Sequence, residues 1–261
     1  MSNNSKGEGK APPTTSLCDQ NETQIFVRGS DLVNDLRGVR SFTEMFYFLV
    51  AGKFPSPAQT TILDACLVTL MEHGINPSTI VSRLISGTNP QEPQVAIAAG
   101  LLAVGGKYGG TAEQSAQILA ELADAVALQG ESAITETAKR LIASGAPIPG
   151  FGHLHHKPDD PRSPRLFAVA TTTGMALPHM ALLQKLSAEI DAVKGRHITI
   201  NATGAMGALL LDIGLPITAI RSVAVVSRSA GLAGHLVEES KKPAAITLWR
   251  AGRAAVPYVA E

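Results

Sequence analysis

The chain has few cysteines, no excess of charge of either sign and no long apolar run, and each shortage excludes a class of protein. Cys18 and Cys66 are its two cysteines, too few for a disulfide framework or a cysteine zinc site. The 22 basic and 22 acidic residues balance, so no broad electrostatic surface for nucleic acid or acidic membrane is expected. The most apolar windows fall short of the ~20 residues that span a bilayer. We expect a cytoplasmic protein that binds small molecules, without nucleic acid or membrane.

Length and composition bound the size of the core. With 261 residues, of which 45% are hydrophobic, the chain can form one domain or two closely packed lobes. The residues from Met1 to Thr15 are polar and lack the apolar core of a secretory signal. We therefore expect residues 1–15 to form a flexible tail and residues 16–261 to form the folded domain.

Helical signals dominate that domain. Ser56 can cap a helix whose first residue is Pro57, and apolar residues then recur at helical spacing as far as His73. Strand alternation is almost absent, apart from a small hairpin near Thr23 to Arg28 and an extended run at residues 197–201. The fold class is therefore predicted to be all-α. Further helices are predicted from Thr111 to Gly130, from there to about Gly145, and over Pro164 to Thr173, Leu177 to Val193 and Ile217 to Glu239.

The loop Pro149–Arg162 is the most informative stretch. It brings glycines, imidazoles and cations together between prolines that stiffen its ends. Gly150 and Gly152 let the backbone approach a ligand closely, and the planar fork of Arg162 suits a carboxylate or a phosphate. This composition predicts an anion site. A metal site of histidines and aspartates, and a polar connector between helices, are the two alternatives.

Three other stretches carry candidate chemistry. His73 stands at a helix end, before residues that can cap the next helix at its positive amino terminus. The glycine-dense turn at residues 105–113 enters a helix and could cradle a phosphate, although it lacks the order of a P-loop. Arg228 falls inside an apolar helix pattern, where a buried charge needs a partner. A substrate carboxylate is one natural partner, and a structural ion pair is the alternative.

Taken in order, these stretches resemble the citrate synthase superfamily. The loop matches the family's Pro-Gly-Phe-Gly-His element with its later Asp-Pro-Arg. His73 matches the histidine of His-Glu/Gly-x-Asn-x-Ser-Thr, and Arg228 matches the late Arg-Ser/Thr-x-Gly-x-x-x-His signature. Tyr108 stands where most members carry a histidine, an aromatic replacement found in citryl-CoA lyases and in the carboxy-terminal module of ATP-citrate lyase. The resemblance covers about Ser16 to Pro243 and points to this citryl-CoA-cleaving branch.

The resemblance implies a Claisen or retro-Claisen reaction on CoA thioesters, most simply the cleavage of citryl-CoA to acetyl-CoA and oxaloacetate or the reverse condensation. His73 and His153 would polarise the ketone oxygen and handle the hydroxyl proton. Tyr108 would replace the histidine that stabilises the enol of the acetyl thioester. Arg162 and Arg228 would hold the carboxylates of the di- or tricarboxylate.

Other roles are implied for residues around this centre. Lys157, with Gly150 and Gly152, would meet coenzyme A, which is expected as substrate or product and not as a tightly bound cofactor. Lys242 would be a single-point substitute for a family arginine that reaches into the neighbouring subunit's site. No metal is expected. The family architecture implies a two-lobed helical homodimer, whose small lobe, roughly residues 111–212, closes on the large lobe around the ligands.

One position departs from the family pattern. The family's Asn-Val-Asp element provides its catalytic carboxylate, but Thr203 stands at the aspartate position here. A threonine hydroxyl is not a general base at neutral pH, so weak citrate-forming activity is expected. Glu113, Asp159 or Asp160 could supply a carboxylate instead, whereas Asp212 is too far along the next helix. The alternatives are a catalytically weak or silent homologue that binds a CoA thioester or tricarboxylate, and a synthase for another acyl-CoA and 2-oxo acid.

Overall fold

The computed structural model of the chain describes residues 12–260, without the side chains at positions 107–109. Residues 1–11 of the predicted tail lie outside the described residues, and residues 12–15 are exposed and lack regular structure. Helices make up most of the described chain, and the all-α prediction is confirmed. The helices are α1 (Phe42–Ala51), α2 (Pro57–Met71), α3 (Pro77–Thr88), α4 (Pro93–Gly109), α5 (Thr111–Gln129), α6 (Ser132–Ala143), α7 (Arg162–Thr172), α8 (Pro178–Lys194), α9 (Ala202–Asp212), α10 (Ile217–Lys241) and α11 (Ala245–Ala255).

The described residues divide into two compact units, of which the first ends at Phe54. It contains an antiparallel sheet of three short strands, with β2 in the middle, followed by a π-helix and α1. The predicted hairpin is present, because the Asn21 side chain accepts hydrogen bonds from the backbone N–H groups of Thr23 and Gln24 and so closes the turn. The strands are β1 (Cys18–Gln20), β2 (Ile25–Val27) and β3 (Ser30–Asp31), and the π-helix is Leu32–Leu36.

The second unit, from Pro55 onward, contains α2 to α11. Its first helix begins where the sequence predicts. The Ser56 hydroxyl accepts the N–H of Gln59 at 3.2 Å, and the Gln59 side chain accepts the N–H of Ser56 at 2.8 Å, which completes a capping box. Pro57 occupies the first turn, where its missing N–H costs nothing. The predicted bounds of α5 are likewise confirmed, since it starts at Thr111 and ends before Gly130.

Two groups of helices pack within this unit. In the first, α10 lies against α2, α3 and α4. Gly231 allows the close contact with α2, because a Cβ there would overlap the carbonyl oxygen of Met71. In the second group, α5, α6, α8 and α9 surround an apolar core. That core includes Leu119, Leu122, Ile134, Leu183, Leu186 and Ile190.

The run Pro93–Gln129 joins α4 to α5. Helical geometry is interrupted at Gly105, which has φ 55°. By length and composition alone this run could cross a membrane, a test that core helices of soluble proteins also pass. The absence of a membrane segment therefore stays a prediction, as do the bounds of the small lobe.

Candidate active site

A cavity of about 440 Å³ lies in the second unit, where the ends of α2 and α9, the middle of α10 and the loop Pro149–Arg162 meet. It brings together His73, His153, Arg162, Thr203 and Arg228, all five of which the sequence singles out. Of the described residues that line it, none carries a carboxylate. The lining also includes Leu70, Ile75, Asn76, Ser78, Val104, Leu154, His155 and Asn201.

The histidine-bearing loop is fixed to the start of α9 by direct backbone contact. The N–H of Asn201 donates to the carbonyl of Gly150 at 3.0 Å, and the N–H of Gly152 donates to the carbonyl of Thr199 at 2.8 Å. Gly150 has φ 86°, and a Cβ at Gly204 would overlap the Gly150 carbonyl. Glycine at both positions therefore allows the loop to reach the helix.

His153 presents an N–H to the cavity. Its Nδ1 lies 3.2 Å from the backbone N of His155 and 3.0 Å from that of His156, so Nδ1 accepts and the neutral ring carries its proton on Nε2. Burial, followed by the charge of His156, lowers the pKa of His153. Nε2 lies 3.3 Å from Nη2 of Arg162, and because both nitrogens then carry hydrogen, neither is satisfied by the other. An oxygen of a ligand would complete this arrangement.

Asp160 holds Arg162 in place. Its two carboxylate oxygens accept Nε and Nη2 of Arg162, and one of them also accepts the N–H of Ala202 at 3.0 Å. Burial of this fully enclosed carboxylate acts to raise its pKa, but the hydrogen bonds from Arg162 hold the pKa below its ordinary value. Arg162 is thus oriented before any ligand binds.

His73 and Arg228 form the opposite wall. Nδ1 of His73 lies 3.2 Å from Nη2 of Arg228 and 3.4 Å from the Asn76 amide nitrogen. Because a guanidinium can only donate, His73 accepts at Nδ1 and its Nε2 carries the proton. Burial and the nearby positive charges of Arg228 and Arg162 lower the pKa of His73, which favours this neutral form.

Arg228 is 9% exposed, and its Nη1 has no hydrogen-bond partner in the described part of the chain. Oε2 of Glu72 lies 4.0 Å away. Burial lowers the pKa of the Arg228 guanidinium, and the nearby Glu72 carboxylate opposes that effect. A ligand carboxylate would provide the missing partner.

Thr203 lies in the first turn of α9. Its hydroxyl donates to the Asn201 side chain at 2.7 Å, and Asn201 also accepts the N–H of Gly204 and so caps the helix. Thr203 therefore acts as a donor within the cap. The donors left to the cavity are therefore those of the two imidazoles and the two guanidiniums, and none of the described residues that line it carries a carboxylate.

The carboxylates considered as substitutes for the family aspartate have other partners. Glu113 pairs with Arg221 at 2.6 Å, and Asp159 contacts His197 at 2.9 Å. Asp160 is engaged by Arg162, as described above. Asp212 accepts the N–H of His179 at 2.8 Å at the start of α8. None of these four residues lines the cavity.

The remaining predicted residues lie outside the cavity or outside the described side chains. Tyr108 belongs to α4, but its side chain is not among those described. Lys157 is exposed on the loop, and Lys242 is exposed at the end of α10. Their proposed ligands are therefore untested.

A second cavity, of about 210 Å³, lies between the start of the same loop, the end of α6 and the segment that follows α8. Ile148 and Phe151 form part of its apolar wall, and Lys194 and Arg196 contribute cations. Within the described chain no group of three His, Cys, Asp or Glu residues converges as a metal site.

Asn76 and Asn201 are site residues that the sequence reasoning did not single out. Each is the cap of a helix that points at the cavity, α3 for Asn76 and α9 for Asn201. The signal was available, because asparagine immediately before a helical pattern is a strong capping residue. Glu72 was also not singled out, because its contact with His235 joins it to a helix far along the chain.

Comparisons with known proteins agree with this geometry. Residues 41–251 match the family model described as citrate synthase, C-terminal domain. A citrate synthase from Acidithiobacillus ferridurans is 29% identical over 204 residues, which cover 74% of this chain and 50% of that protein. The chain thus spans about half the length of the curated relatives it matches.

Two solved structures share the fold over nearly all of the chain. Citryl-CoA lyase from Hydrogenobacter thermophilus superposes with a TM-score of 0.85 at 26% identity, covering 95% of this chain and 94% of that one. ATP citrate lyase from Methanothrix soehngenii, solved with citrate and coenzyme A, gives 0.79 at 18% identity, covering 96% of this chain and 42% of that one. The match of the family model to most of the sequence, on the helices that build the cavity, confirms the predicted resemblance: the chain belongs to the citrate synthase family.

Proposed function

We propose that this protein cleaves or forms a carbon–carbon bond in a CoA thioester of a tricarboxylate, with citryl-CoA as the substrate and acetyl-CoA and oxaloacetate as the products. The convergence of two Nε2–H imidazoles and two guanidiniums on one cavity carries this proposal. Such a site fits a ligand with several carboxylates and an oxygen that becomes negative during reaction.

Arg162 and Arg228 would bind two carboxylates of the tricarboxylate. The preset fork of Arg162 and the unpartnered Nη1 of Arg228 both support this role. Binding would give Nη1 of Arg228 the hydrogen-bond partner that the described part of the chain does not provide. The ligand is thereby held with its central carbon between the two histidines.

His73 and His153 would stabilise the negative oxygens. In the cleavage direction the substrate hydroxyl loses its proton and becomes the ketone oxygen of oxaloacetate. The bond to the thioester CH₂ breaks, and its electron pair forms the enolate, which takes up a proton to give acetyl-CoA. Neutral imidazoles that donate through Nε2–H lower the energy of both anionic oxygens. Because the described lining lacks a carboxylate, both protons would exchange with solvent and turnover would be slow.

Coenzyme A would extend from this cavity along the loop. The second cavity, with Lys194 and Arg196, and the exposed Lys157 offer cations for its phosphates. We also propose that the protein is cytoplasmic and forms a homodimer. The homodimer is proposed because the family pattern places a cation of the neighbouring subunit near the site.

The decisive experiment uses chemically prepared citryl-CoA and purified protein. Oxaloacetate release is followed by its reduction with malate dehydrogenase and NADH, and acetyl-CoA by chromatography. We expect both products in equal amounts, with loss of activity in His153→Ala and retention in Arg165→Ala, an exposed arginine of α7. Binding of citryl-CoA by calorimetry without product would reject the enzymatic proposal in favour of a binding role.

A further inference from the structure

A chain of polar contacts links the loop after α2 to the buried side of α10 in the second unit. Arg83 on α3 is 3% exposed and donates Nε and Nη2 to Nδ1 of His235 at 2.9 and 2.7 Å. Its Nη1 donates to Glu239 at 2.7 Å, and Glu239 is itself 5% exposed. Nε2 of His235 lies 2.9 Å from Oε2 of Glu72.

The donor and the acceptor in these contacts follow from the chemistry of the side chains. A guanidinium can only donate, so His235 accepts at Nδ1 and carries its proton on Nε2, facing the carboxylate of Glu72. Nε2 and Oε2 lie within hydrogen-bond distance of each other at 2.9 Å, although their mutual orientation is not that of a hydrogen bond. Arg83 thus sets which nitrogen of His235 faces Glu72.

At its other end, Glu72 touches the backbone that carries His73. Oε1 of Glu72 accepts the N–H of His73 at 2.9 Å and that of Gly74 at 2.5 Å. Oε2 lies 4.0 Å from the unpartnered Nη1 of Arg228. The carboxylate therefore contacts the supports of two cavity residues without lining the cavity itself. Burial acts to raise its pKa, but His235 and the two N–H groups hold the pKa below its ordinary value.

We propose that Glu72 is a positioning residue for this site, held in place by His235 and Arg83. It fixes the backbone of His73 and keeps a negative charge beside Arg228, so that both donors face the ligand. The effect of Glu72 on catalysis depends on the proposed function being correct. A purely structural cluster would affect the stability of the helices but not the geometry of the bound ligand.

Three variants separate these possibilities. Glu72→Gln keeps the side-chain size and can still accept the N–H of His73, but it loses the charge and places an amide donor against His235. His235→Leu removes the link between Glu72 and Arg83. His235→Gln offers an acceptor to Arg83 and a donor to Glu72, and so preserves the link.

We expect kcat/KM for citryl-CoA, per folded molecule, to fall about tenfold or more in Glu72→Gln and His235→Leu and to return to within about threefold in His235→Gln. Asp212→Asn, which weakens the cap of α8 far from the cavity, is the control for lost stability and should keep its kcat/KM. Unchanged kcat/KM in Glu72→Gln, or a loss in Asp212→Asn as large as that in His235→Leu, would overturn the proposal.

The same variants are measured for citrate affinity by calorimetry. If the unsubstituted protein does not turn over citryl-CoA, the proposed function fails, but the positioning role still predicts weaker citrate binding in Glu72→Gln and His235→Leu and recovery in His235→Gln. Equal citrate affinity in all the variants would overturn the positioning role on its own.

Discussion

Asp160 and Arg162 form a two-point ion pair at the start of α7, with Nε 2.9 Å from Oδ1 and Nη2 2.8 Å from Oδ2. The same carboxylate accepts the N–H of Ala202 in α9. One buried side chain therefore sets the direction of a cavity cation and anchors the helix that carries Thr203. Asp160 therefore links the orientation of Arg162 to the position of the first turn of α9.

We expect Asp160→Asn to lower the free energy of unfolding at pH 7 by about 3 kcal/mol, because it leaves a partly buried guanidinium without its charge partner. The folded-state pKa of Asp160 lies below its unfolded value, so this stabilisation is present above the unfolded pKa and is lost as the pH falls through the folded one. Urea unfolding at several pH values measures it. Asp124→Asn, at an exposed aspartate of α5, is the control, and equal losses in the two variants would contradict the expectation.

The position of Thr203 allows a test of the missing base. We expect Thr203→Asp to raise the rate of citryl-CoA turnover about a hundredfold, because a carboxylate in the first turn of α9 restores a proton acceptor and is favoured by the helix dipole. Initial rates measure the gain, and Thr203→Asn controls for shape without charge. No gain, with substrate binding intact, would mean that the pocket serves another acyl-CoA.

We expect Arg228 to lower the stability of the fold while it strengthens the binding of citrate. Replacing it with Met should increase the free energy of unfolding by about 1 kcal/mol, because a buried charge with an unpartnered Nη1 is exchanged for apolar packing. Citrate affinity should fall about tenfold or more. Denaturant unfolding and calorimetry measure the two effects. The exposed Arg221, paired with Glu113, provides Arg221→Met as a control in which citrate affinity is retained. A large loss of stability in Arg228→Met would show that the charge is already well compensated.

His197 connects the histidine loop to α8. Its Nδ1 lies 2.6 Å from Asp191, and its Nε2 lies 2.9 Å from Asp159. Hydrogen bonds to these two carboxylates raise the pKa of His197. The stabilisation is therefore fully present below the unfolded pKa of ~6.5 and is lost as the pH rises through the higher folded value.

For this histidine we expect His197→Gln to destabilise the protein more at pH 5.5 than at pH 9. Thermal unfolding at the two pH values measures the difference, and the exposed His155 provides His155→Gln as a comparison. A destabilisation independent of pH would show that protonated His197 stabilises the fold no more than neutral His197 does.

The sequence predicted most reliably those elements whose signals are local. The start of α2 follows from Ser56 and Pro57, and the end of α5 follows from Gly130, because caps and breakers act within one turn. The helices α1, α4 and α11 were not predicted, although Ser41 and Glu44 form a capping box before α1. The helices α4 and α11 begin without a side-chain cap, so that local signal is missing from both.

The sequence predicted which residues line the cavity, but it did not predict which residues contact one another there. His73, His153, Arg162 and Arg228 meet because motif resemblance preserves the order of the elements that carry them. The link between Arg83 and His235 joins residues far apart in the chain, and no local pattern encodes such a pairing. For the same reason the sequence offered Glu113 and Asp159 as possible bases without revealing their other partners.

The contact of Gly150 with Gly204 has a mechanical consequence. Where two backbones touch without side chains between them, there is no compressible layer to absorb a shift of one against the other. We therefore expect the loop that presents His153 and the helix end that presents Thr203 to shift together. A ligand that displaces one of these residues would displace the other as well. The distance between His153 and Thr203 then stays nearly constant, and it limits the size of the substrate that fits between them.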